Sequence, residues 1–132
     1  MTDDVVTASI RINAAPEEVF PYLIDPELLI LWLAGWAETS PEPGGLFAIN
    51  VGDNKVRGTY VRVNPPHRVA FTWGLHDNAA LPEGSSTVEI FLTADGAHTI
   101  VDLTHRDLPV STRDEHAEGW AMCLAKLAEQ IH

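Results

Sequence analysis

From about Ser111 onward the apolar residues recur at the 3.6-residue spacing of a helix, and nothing earlier in the chain sustains that period for long. On a helical wheel centred on Trp120, the side chains of His116, Cys123, Leu124, Leu127 and Ile131 gather around it. Asp114, Glu118 and Glu129 lie opposite. A lone long helix with one apolar stripe must cover another apolar face, and the preceding segments offer only a sheet. That pairing restricts the chain more than any other feature.

The sheet can be read strand by strand. VVTASIRI (5–12) alternates, with Val6, Ala8, Ile10 and Ile12 on one face. APEEVFPYLI and DPELLILWL then give two short helices. Pro16 and Pro26 sit at first helical positions, Asp25 is a candidate N-cap, and Pro21 limits or kinks the first helix. After SPEPGG come LFAINV, VRGTYVRV, RVAFTWG, STVEIFLT and HTIVDLTHR. GDNK and ADGA suit hairpin turns, and NPPH is bounded by proline. Strands joined by such short turns must be antiparallel. The one long loop, GLHDNAALPEGSS, is expected to be flexible. The order is a strand, two short helices, several antiparallel strands and one long helix, in a single domain over residues 1–132: an α+β architecture.

Composition removes several functions. The formal net charge is −11, with no cluster of Lys or Arg. Nucleic acid and anionic membrane surfaces are therefore not expected partners, since both are held by basic patches. The single cysteine, Cys123, fits a reducing compartment. MTDDVVTASI has neither a basic region nor an apolar core of a signal peptide, and no apolar run reaches the length of a membrane span. A cytoplasmic protein is expected. The histidines at 67, 76, 98, 105, 116 and 132 fall at no metal-ligand spacing, so neither a metal nor another cofactor is anticipated. His116 and Cys123 are separated by seven residues, about 10 Å along a helix, too far for a nucleophile and its base.

PEPGGLF, VRGTYVRVNPPHRVAFTW, LTHRDLP and HAEGWAMCLAKLAE, in that order and spacing, resemble the activator-of-Hsp90-ATPase-homologue branch of the START-related, helix-grip superfamily. The likeness runs from the APEEVF helix start to the last helix. It implies a curved antiparallel sheet gripping the terminal helix, with an apolar cavity between them.

Strand alternation then assigns the inward face to Phe47 and Ile49, to Val69, Phe71 and Trp73, to Val88, Ile90 and Leu92, and to Val101, Leu103 and His105. Tyr60 also points inward unless a bulge turns it out. The resemblance puts Trp32 near the cavity mouth. Trp32, Phe47, Tyr60, Phe71, Trp73 and Trp120 form an aromatic set suited to a ligand pocket, with His105 and His116 as polar groups. Each of these residues also has a plain reading as core. Gly119, inside the helix, costs roughly 1 kcal/mol relative to alanine. It is expected to admit a close backbone or short-helix neighbour and to leave room beside the Trp120 ring, against the plain alternative of an exposed glycine.

Three functions compete. A hydrophobic or amphipathic small molecule bound in the cavity, in a carrier or sensor role, is preferred. The alternative is a cyclase- or dehydratase-like enzyme moving protons with a pocket His, Tyr or Asp. Interaction with Hsp90, a stress-related role that the family name suggests, ranks third. Monomer and homodimer are both compatible with the chain.

Overall fold

The computed structural model describes residues 5–131. Seven strands form one antiparallel sheet: β1 (Val5–Ile12), β2 (Trp36–Thr39), β3 (Leu46–Val51), β4 (Asn54–Asn64), β5 (Arg68–Trp73), β6 (Ser86–Asp95) and β7 (His98–Arg106). Their order across the sheet is β1-β7-β6-β5-β4-β3-β2, so β2 to β7 pair in succession while β1 is joined to β2, at the opposite edge, by a long connection. That connection holds the short helices α1 (Pro16–Val19) and α2 (Pro26–Leu29), with a 3₁₀ turn over Phe20–Leu23 between them. The long helix α3 (Arg113–Gln130) follows a second 3₁₀ turn. This is the helix-grip fold.

Local chemistry accounts for the breaks. Pro16 and Pro26 occupy first-turn positions, and the Asp25 carboxylate accepts a hydrogen bond from the Glu27 amide at 2.9 Å. Gly52 and Gly96 turn their hairpins at φ of 59° and 62°, where a Cβ is disfavoured. The expected inward residues are buried on β3, β5, β6 and β7 alike. A register shift between Tyr60 and Arg62 supplies the bulge that sequence alone left open, and Tyr60 faces inward nonetheless. β2 escaped the sequence reading. WAET is four residues long and half polar, and its pairing with β3 makes it an edge strand.

Among the strands, β1 lies nearest the backbone of α3. Trp120, Leu124 and Leu127 are buried beneath the helix. Towards β3–β5 the space is bridged by aromatic side chains. Phe47 stacks on Phe71 with centroids 3.9 Å apart, and Tyr60 meets both rings edge-on. The helix is thus close to the sheet on one side and propped away from it on the other.

The loop from Gly74 to Ser85 is tied down rather than loose. Leu75 forms a β-bridge with Val56, and its amide donates to the Leu81 carbonyl at 2.8 Å. The Asn78 side chain accepts from the amides of Ala80 and Leu81, both at 2.9 Å. The neck of the loop is so close that a methyl group on Gly74 would run into the Pro82 carbonyl. Gly74→Ala is expected to lower stability by about 1–3 kcal/mol through this overpacking and to expose residues 75–85 to limited proteolysis. Urea melts and the cleavage pattern check both effects.

Candidate functional site

A cavity of about 390 Å³ lies between α3, the loop after β5 and the strands β3–β5. Trp73 and Trp120 form its aromatic wall. Leu33, Val51, Val56, Leu75 and Leu81 add aliphatic surface, and Asn54, Asn78, Glu115 and His116 bring polar groups. Gly119 lines it too. A Cβ on Gly119 would meet nothing within 4 Å, so the glycine admits no close neighbour. The expectation of a closely packed neighbour falls, and the missing side chain leaves open room on the cavity wall.

Four residues join the helix to the sheet beside this space. Trp120 Nε1 donates to His105 Nδ1 at 3.0 Å, which makes Nδ1 the acceptor nitrogen. His105 Nε2 must then carry the proton, and it donates to Ser86 Oγ at 2.8 Å. Ser86 Oγ in turn donates to the Trp73 carbonyl at 2.6 Å. Both His105 and Ser86 are fully buried. Burial, reinforced by the nearby charge of His116, pushes the His105 pKa down to about 3. His105 is therefore a neutral strut with both nitrogens engaged.

His116 is placed differently. Its Nδ1 donates to the Thr112 carbonyl at 2.8 Å, leaving Nε2 of the neutral ring as an acceptor. Its ring stands edge-on to Trp73 and His105, with centroids 6.1 and 5.2 Å away. Trp73 Nε1 is a buried donor with no partner among the described residues. Cys123, half-buried on the cavity wall, keeps its proton more tightly than an exposed thiol because burial disfavours the thiolate, against a smaller opposing effect of Lys126.

A second cavity, of about 310 Å³, adjoins the first. The two share Leu33, Val51 and Cys123, and the second adds Trp32, the exposed Ile30 and Leu31, and Lys126. Of the residues expected at the site, Trp73, His116 and Trp120 line the first cavity and Trp32 the second. Trp32 Nε1 is held by the Tyr22 carbonyl at 2.9 Å. Phe47, Tyr60, Phe71 and His105 line neither, lying in the buried layer behind Trp73. The Tyr60 hydroxyl donates to the Leu23 carbonyl at 3.3 Å, and burial holds its pKa well above the ordinary value.

The loop residues Leu75, Asn78, Ala80 and Leu81 were missed by sequence reading. Two leucines within an otherwise polar loop were the signal that something there is covered. Among the described residues no group of three or more His, Cys, Asp or Glu is placed to hold a metal ion. No described helix is long and apolar enough to cross a membrane.

A bent antiparallel sheet, one gripping helix and a lined cavity between them define a helix-grip protein. The chain belongs to the activator of Hsp90 ATPase homolog 1-like family, whose model matches residues 13–131. No curated protein matches it in sequence. Among solved structures, an AHSA1-like protein from Rhizobium etli is 41% identical, with a TM-score of 0.73 over 95% of this chain and 79% of that one. CalU16 from Micromonospora echinospora is 26% identical, with a TM-score of 0.79 over 95% of this chain and 74% of its own. The Aha1 dimer protein from Colwellia psychrerythraea shares the fold at 18% identity, with a TM-score of 0.82 over 96% and 95% of the two chains.

The state of His105 makes stability depend on pH. Its folded pKa of about 3 lies below the ordinary 6.5, so the unfolded chain binds more protons between those values. The contribution is intact above pH 6.5 and is lost as pH falls towards 3, with a slope approaching about 1.4 kcal/mol per pH unit. His105→Leu should remove that part of the acid sensitivity. At neutral pH it should cost about 1–3 kcal/mol for the Trp120 indole donor left unpaired, since Ser86 keeps its bond to the Trp73 carbonyl. Urea melts at several pH values read both.

Proposed function

We propose that this protein binds a hydrophobic or amphipathic small molecule in the cavity between α3 and the sheet, as a carrier or sensor. The observation that carries this reading is the vacancy at Gly119. A helix-interior glycine costs roughly 1 kcal/mol, and here it adds open volume to a cavity walled by two tryptophans. The cavity's size falls within the range of about 300–1,000 Å³ usual for small-molecule sites. His116 Nε2 adds an acceptor that orients a hydroxyl or amide.

The engagement of His105 and Tyr60 weighs against the enzyme reading. A general base needs a free lone pair within reach of substrate, and both groups are committed to protein partners away from the cavity. Hsp90 as a partner rests on the family description alone. A cytoplasmic location agrees with the single half-buried thiol, and both monomer and homodimer accommodate a cavity built from one chain.

An apolar fluorescent dye should bind saturably and quench or shift tryptophan emission. Trp73→Leu should change its affinity while the domain stays folded. A linear, unsaturable titration overturns the reading. Gly119→Ala is expected to stabilise the fold by about 0.4–1 kcal/mol. Gly119→Leu should weaken dye binding about tenfold or more by filling the cavity, with its melting temperature largely retained. Unchanged affinity in a folded Gly119→Leu would remove the glycine from the account.

A further inference from the structure

The two cavities lie along one stripe of α3. Glu115, Gly119 and Cys123 line the first, and Cys123 and Lys126 line the second. These positions advance by four, four and three residues, the spacing of a single helix face. With a rise of 1.5 Å per residue the stripe is about 16 Å long. Leu33 and Val51 face its middle from both cavities, so the wall stays apolar where they meet.

Charge is distributed unevenly along this groove. Among the described residues lining the two cavities, Glu115 carries the only carboxylate and Lys126 the only ammonium, with the imidazole of His116 beside Glu115. Among the described residues Lys126 makes no ion pair, nor do Lys55, Arg57 and Arg62, whereas Arg11, Arg68 and Arg106 are paired. In a chain of net charge −11, an unpaired ammonium at the end of an apolar groove is a local reversal of the surrounding field. An anionic group at the other end would meet the Glu115 carboxylate beside the His116 imidazole, with no fixed ammonium there.

We infer that the groove takes an elongated monocarboxylate, with its apolar portion running past Cys123 and Gly119 to Trp73 and Trp120 and its carboxylate at Lys126. This rests on the small-molecule reading above and adds to it a ligand class and an orientation. Lys126 is the specificity-determining residue. It stands at the outer cavity, bordered by Ile30 and Leu31, where a carboxylate remains hydrated while the chain is buried.

Decanoate, decan-1-ol and decylammonium share a chain and differ in head group, so tryptophan-fluorescence titrations with the three separate apolar from charge recognition. Wild-type protein should bind decanoate at least about fivefold more tightly than decylammonium at low salt, the effect of one exposed pair worth about 1 kcal/mol. That preference should shrink as salt is raised. Lys126→Gln should lower decanoate affinity about fivefold and leave decan-1-ol within about twofold. Lys126→Glu should reverse the order of decanoate and decylammonium. Decan-1-ol binding with no decanoate preference, or equal losses for both in Lys126→Gln, overturns the carboxylate assignment and leaves the cavity reading standing. Failure of all three probes to bind overturns both.

Discussion

The hydrogen-bond chain from Trp120 through His105 and Ser86 to the Trp73 carbonyl holds the rest of the arrangement in place. It links α3, β7, β6 and β5 in four residues, deep in the core. Such a chain tolerates no missing member, because each buried donor or acceptor left over is desolvated without return. It also fixes the helix in rotation. With Trp120 anchored, the residues about 40–100° to one side of it on the wheel are no longer free to choose their surroundings. Gly119, Cys123 and His116 face the cavity because Trp120 faces His105.

Much of this was legible in residues, and the limits are instructive. Alternation sorted the inner face of β3, β5, β6 and β7 correctly because the period of a strand is rigid and one face is dry. The helix stripe was equally plain, with Trp120, Leu124 and Leu127 buried as its period requires. What alternation does not distinguish is depth. Phe47, Phe71 and Trp73 all point inward, yet only Trp73 reaches the cavity, since Phe47 and Phe71 are consumed in stacking on each other. His105 and His116 looked like equivalent polar groups. One is a sealed strut and the other lines the space, a difference set by which strand or helix turn each occupies. The loop after β5 was opaque because its order comes from the Asn78 amide and the Gly74 neck, interactions with no periodic signature.

The cavity survives because the helix is not free to settle. An apolar void left in a sealed core is costly in lost contacts, and the surroundings tend to relax into it. Here β1 already touches α3 on one side, while the Phe47–Phe71 stack and the Trp73 and Trp120 rings prop the other. Moving the helix inward would break the His105 strut or overpack those rings. The loop residues Leu75 and Leu81 form a wall without filling the gap, since the backbone that carries them is pinned to β4 through Val56. Asn54, Glu115 and His116 put polar groups on its wall, so the space is not a purely apolar void. A molecule entering this space would meet a geometry set before it arrives.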